Sequence, residues 1–214
     1  MNKIFSFILI VSIFMSCESR YASEATEAIT TDAVLSGNAG STSDMVFIDT
    51  KSSVIEWKGT KFNKSRFHAG TIQITNGVLQ FSNDKLTGGY FTANLNTIKV
   101  TDIPPHENEA IYNLTEHLKD DFGATTYPSA KFVITNVKYI TKDSMAVSGD
   151  LKMKDEVRNI TIPAKAIEQK NGKAYFTAFQ FNRFEWNIGK SKGWLEQRMV
   201  DKEVELKIRL ITKE

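Results

Sequence analysis

The sequence predicts an all-β fold: an antiparallel barrel of about eight strands with one short helical insert as a lid. Three observations carry this. Between Val46 and the C-terminus, most segments alternate apolar and polar residues with a period of two, as strands with one buried face do. Asn76-Gly77 and Asn171-Gly172 are dipeptides that favour two-residue hairpin turns. Only the stretch 101–126 breaks the alternation, with Ile111, Leu114, Leu118 and Phe122 at helical spacing. A β-sandwich is the competing architecture. The long aromatic segment around Tyr175–Phe181 and the insert favour a barrel, and barrels near eight strands hold a single small ligand.

The N-terminal segment reads differently from the rest. Residues 1–16 carry Lys3 and then an apolar run, Ile4–Met15, too short to span a bilayer comfortably; this is the pattern of an export signal. Cys17 follows directly and is the only cysteine of the chain, so no intrachain disulfide can form. An apolar run, a small residue and then Cys resembles the lipobox of bacterial lipoproteins. The resemblance implies cleavage before Cys17 and acylation of its thiol, an anchor strengthened by about 0.8 kcal/mol per buried CH2. Residues 18–44 are rich in Ser, Thr, Ala, Glu, Gly and Asn and poor in large apolar side chains, the composition of a flexible tether. The folded domain is then 45–214.

Within that domain, Val54–Gly59 is expected as a first strand and Thr71–Thr75 as a second, turning at Asn76-Gly77 into Val78–Phe81. Ser82–Gly89 reads as a turn-rich connection and Tyr90–Val100 as a strand. Pro104-Pro105 lead into the helix, acidic Glu107 and Glu109 sit near its start and Lys119 near its end, all matching the helix dipole. Gly123 ends it, and Tyr127-Pro128 imposes an extended backbone before the strand Ala130–Val137. Ser144–Met153 and Val157–Pro163 follow as strands. Lys173–Phe181 is expected to continue through Arg183–Trp186, and Gly189–Gly193 reads as a turn or loop. Val204–Ile211 closes the domain with an apolar and a charged face.

Composition excludes several functions. A net charge of +2 with mixed signs throughout gives no basic stripe for nucleic acid. There is no Gly-x-Ser-x-Gly, no phosphate-binding glycine loop and no zinc motif, and His68, His106 and His117 are spaced for no helical metal pair. Glu56 and Glu185 lie beside Trp57 and Trp186 but form no acid–base pair legible in sequence. The reading is therefore non-enzymatic, with no cofactor.

Alternation places Trp57, Ile72, Ile74, Leu79, Phe81, Phe91, Leu95, Phe132, Ile134, Val147, Leu151, Phe179 and Phe181 on inward faces, and helical spacing puts Leu118 and Phe122 on the apolar face of the lid. All but Leu79 and Leu151 are taken as candidates to line an apolar ligand cavity. Periodicity alone does not separate cavity wall from packed core. Arg66 and Arg183 are candidates for a polar mouth.

The ordered set His117-Leu118-Lys119, Asp121-Phe122, Tyr127-Pro128, Phe132, Val147–Leu151 and Asn159–Pro163 resembles the YceI-like family; Trp57-x-Gly59, His68-x-Gly70 and Arg183-x-x-Trp186 resemble its anchored members. The resemblance covers Val46 to the C-terminus. It departs at Gly123, where the family often has an aromatic, and at the charged stretch Lys152–Glu156. It implies a lipocalin-like barrel that binds a polyisoprenoid or another amphiphilic lipid, held at the bacterial cell envelope and facing the periplasm or exterior. The alternatives are an interaction module with a packed barrel and working surface loops such as Gly189–Leu195, or hydrolase or isomerase chemistry inside the barrel.

Overall fold

The computed structural model describes residues 25–33, 44–61, 64–169, 172–190 and 200–213. Eight strands close the barrel: β4 (Val54–Lys61), β5 (Phe67–Ser82), β6 (Lys85–Val100), β7 (Ser129–Tyr139), β8 (Ser144–Met153), β9 (Glu156–Gln169), β10 (Gly172–Asn182) and β11 (Val200–Ile211). Each pairs antiparallel with the next, and β11 returns to β4 through Leu206↔Trp57 and Ile208↔Ile55. The expected fold class is what the structure has. Before β4 come three short strands: β1 (Thr26–Glu27), β2 (Ile29–Asp32) and β3 (Asp44–Phe47). β3 lies antiparallel on β5.

Several local expectations are corrected. Asn76-Gly77 is no hairpin. β5 runs straight through it as one 16-residue strand with a register shift between Ile74 and Asn76. Gly77 is there for close approach: a Cβ would stand 2.5 Å from Ile48 Cδ1 and 2.9 Å from the Tyr90 carbonyl oxygen. The turn falls at Asn83 and Asp84, both with positive φ (51° and 60°), between the partners Ser82 and Lys85. Two left-handed residues are what a type I′ hairpin needs, and Asn and Asp tolerate that region. Ser82–Gly89 is accordingly not a long connection. β9 likewise runs on through Pro163 to Gln169. Arg183–Trp186 does not continue β10 but forms a 3-10 turn, which the Asn182 side chain caps by accepting from the Phe184 N–H at 3.1 Å.

The tether reading is also corrected in part. Residues 26–32 join the barrel wall: β1 runs parallel to β10, and β2 antiparallel to β9. Composition misled because main-chain pairing requires no apolar side chains. Of this arm only Ala28 is buried. The signal segment and Cys17 lie outside the described residues.

The insert forms α1 (Asn108–Phe122), ended by Gly123 in the left-handed conformation at φ 62°. Ile111, Leu114, Leu118 and Phe122 pack against the core on the face the spacing predicted. One end of the barrel interior is solid. Ile74, Leu79, Phe81, Met145, Val147 and Tyr175 are all buried there, the Phe81 and Tyr175 rings 6.2 Å apart. The helix covers the other end.

Candidate functional site

Between the packed end and α1 lies a cavity of about 380 Å³, lined overwhelmingly by apolar side chains. That volume falls in the range of small-molecule sites. Its wall is made by inward positions of all eight barrel strands, and its roof by Leu114, Leu118 and Phe122 of α1.

Of the residues expected to line it, Trp57, Ile72, Phe91, Leu95, Leu118, Phe122, Phe132, Phe179 and Phe181 do. Ile74, Phe81 and Val147 instead belong to the packed end. Ile134 is only partly buried against the core and is not part of the lining. All four alternate correctly, but alternation reports which face a residue occupies, not how far along the barrel axis the open space extends. The same limit explains the lining residues that sequence missed, among them Ile55, Ile98, Ile160, Ile162 and Ile208.

The aromatic wall is locally specific. Phe132 and Phe91 rings lie 5.6 Å apart, and Phe132 rests over Gly149, where a Cβ would sit 2.3 Å from Phe132 Cζ. Glycine at 149 is therefore required by the ring opposite. Trp186 is fully buried just outside the cavity wall. Its indole N–H donates to the Leu151 carbonyl at 2.9 Å, and its ring meets Phe181 edge-on at 5.3 Å. Trp57 also has a buried indole N–H, but this one finds no acceptor among the described residues. A donor left this way costs stability until something accepts from it.

The polar fringe differs from the expected one. Arg66 is exposed and absent from the lining. Arg183 reaches the cavity, yet its guanidinium is committed to main chain: it donates to Ile188 O (2.9 Å), Asp201 O (3.1 Å) and Val200 O (3.4 Å) and lies over the Phe184 ring. Burial pulls its pKa down, opposed by Asp121 and Asp201. Arg183 thus holds both ends of the 188–200 segment in place. The other polar residues at the cavity edge are Thr60, Lys61, His68, His117 and Asp121. His68 Nδ1 meets Asp102 Oδ2 at 3.0 Å while Asp102 Oδ1 accepts from the Ala69 N–H at 2.9 Å, which orients the imidazole. His117 lies 3.6 Å from Asp121, one turn along α1.

The lid is tied down. Lys154 in the β8–β9 turn donates to Asp121 O at 3.0 Å and to Asn187 O at 3.2 Å, and the Tyr127 hydroxyl donates to Asp155. That bond raises the Tyr127 pKa.

Among the described residues no group of three or more His, Cys, Asp or Glu side chains could hold a metal, and no helix is long and apolar enough to cross a membrane.

Residues 47–211 match the profile of the YceI-like domain. No curated protein matches the sequence. Among solved structures, Burkholderia cenocepacia BcnA is similar with a TM-score of 0.60 and 19% identity, covering 77% of this chain and 98% of that one. The Campylobacter jejuni YCEI protein is similar with a TM-score of 0.51 and 15% identity, over 64% of this chain and 80% of that one. At these identities the structures establish the shared fold. The match over 47–211, by contrast, covers most of the sequence and both the wall and the lid of the cavity, and on it this chain belongs to the YceI-like family.

Proposed function

We propose that this protein binds one amphiphilic lipid in the barrel interior, as a carrier or store and not as an enzyme, while Cys17 anchors it in a bacterial envelope membrane. The observation that carries the reading is the cavity itself: apolar on every strand, roofed by an apolar helix face and polar only at its edge. Lipid and polyisoprenoid binding is common in this family, which supports the same reading. The polar side chains at that edge, Thr60, Lys61, His68 and His117 among them, suit the polar head of such a lipid.

The cavity also limits the tail. On β4 the lining runs from Ile55 to Lys61. At about 3.3 Å per residue and a strand tilt of roughly 40° this is about 15 Å deep, room for a straight chain of roughly a dozen carbons at about 1.2 Å per bond. A longer isoprenoid folds back or trails from the barrel.

Native mass spectrometry of the full chain purified from a bacterial host, followed by solvent extraction, tests the binding. A bound mass extracting as a prenyl or acyl lipid is expected. A bare protein that stays bare after incubation with long-chain alcohols and isoprenoid quinones would overturn the reading. Labelling with a radioactive fatty acid tests the anchor: wild type takes up label and Cys17→Ser does not.

A further inference from the structure

One seam of the barrel is built unlike the others. β9 and β10 pair directly only where Lys165–Gln169 face Gly172–Phe176. Beyond Lys165 the two strands part, and the N-terminal arm fills the gap. Thr26 and Glu27 run beside Phe179 and Gln180, Ala28 N donates to Gln180 O at 2.8 Å, and Ile29–Asp32 pair with Thr161–Arg158. Pro163, which has no N–H to give a ladder, lies between the β10-paired and arm-paired stretches of β9.

The parted strands are cavity wall. Phe179 and Phe181 on β10 and Ile160 and Ile162 on β9 all line it. The arm therefore stands between the ligand space and solvent. It is held thinly: Ala28 is its only buried residue, and the Asp32–Arg158 pair at 3.3 Å involves a carboxylate that is 98% exposed, so it contributes little. Segments with few buried contacts and solvent-facing hydrogen bonds open first. The lid has no fully buried residue either, but it rests four half-buried apolar side chains on the core and adds the Lys154 and Tyr127 ties.

We propose that residues 26–32 are a removable stave, and that ligand enters and leaves the barrel sideways through the β9–β10 seam while the lid stays down. The dimensions agree. Lifting one strand frees a slot about 4.8 Å wide, the spacing of neighbouring strands. A hydrocarbon chain at van der Waals contact is about 4 Å across, so it passes in single file. This proposal rests on the lipid-binding reading above.

The test uses the full chain with Ile29→Cys and Thr161→Cys, a directly paired position across the seam. The linkage is confirmed by peptide mapping, and uptake and release of cis-parinaric acid are followed by stopped-flow fluorescence. With the disulfide formed, both rates are expected to fall at least tenfold with the dissociation constant unchanged, and reduction restores them. Ala28→Pro, which removes the hydrogen bond to Gln180 O, is expected to speed exchange at least threefold while circular dichroism stays that of the barrel. Unchanged rates in the oxidised pair, or in folded Ala28→Pro, overturn the seam as the route. Absence of saturable binding in every form, wild type included, overturns the lipid-binding reading instead.

Discussion

Gly149 and Phe132 offer a test of the cavity wall in which two substitutions must be strongly non-additive. A Cβ at residue 149 would stand 2.3 Å from Phe132 Cζ, 2.6 Å from Cε2 and 2.7 Å from the Val133 carbonyl oxygen. Gly149→Ala alone must push the ring into the cavity. Overpacking of this kind costs about 1–3 kcal/mol, and the backbone contact at Val133 places it in the upper half. Phe132→Ala alone removes a ring that is 4% exposed and packed at a tilt against Phe91. Such truncations cost about 3–5 kcal/mol, and here the lower end applies because one side of the ring already faces open space. With the ring gone, the new methyl at 149 keeps only its conflict with Val133 O and fills part of the void. The double variant should therefore be more stable than the sum of the singles by about 1–2 kcal/mol, within the range of contacting pairs. Urea unfolding followed by tryptophan fluorescence measures all four proteins. Additivity within about 0.5 kcal/mol, the behaviour of independent sites, would refute the placement of this ring. The displaced ring should also weaken lipid binding in Gly149→Ala, and Phe132→Leu should restore it.

Three further outcomes are expected. In a series of straight-chain alcohols, affinity should rise by about 0.8 kcal/mol per added CH2 up to roughly twelve carbons and then level, as titration against a fluorescent competitor would show; a steady rise to twenty carbons contradicts the cavity depth. Burial lifts the Tyr175 pKa well above its usual value, so above about pH 10 the unfolded chain loses a proton that the folded one keeps, and stability falls as pH rises. Tyr175→Phe should flatten that fall between pH 9 and 11 in thermal melts. Arg183→Met removes the donors to three carbonyls and should cost about 2–4 kcal/mol. Gly189→Ala should disturb the same clasp, because its Cβ would meet Arg183 Nη1 at 2.2 Å on a backbone with φ +67°.

The barrel was legible because alternation and the single helical interruption are local signals. So was the lid face, since Ile111, Leu114, Leu118 and Phe122 share a stripe that only a helix makes. Position along the barrel axis was not legible. Ile72 and Ile74 are two residues apart on one face of β5, yet one lines the cavity and the other is packed below it. Nothing in a period of two distinguishes them. Asn76-Gly77 imitated a hairpin because its glycine serves contact with Ile48 and β6, a tertiary cause with a turn-like appearance. Arg183 resembled a head-group ligand because sequence does not show the three carbonyls that surround it. The arm was hidden for a further reason: its hold is chiefly backbone, and composition reports side chains.

On the proposed anchoring at Cys17, the arm also sets how far the barrel can stand from the membrane. Cys17 and Ala25 are eight residues apart, so with the arm seated the span between them is at most about 29 Å. If the arm lifts, the leash runs instead to Asp44, 27 residues from Cys17, and its limit becomes about 97 Å. On an acylated Cys17, a seated arm keeps the seam within that shorter distance of the bilayer, and a lifted one lets the domain swing further away. Force along the leash is then felt first at Thr26, the end of the stave, rather than at the sheet itself.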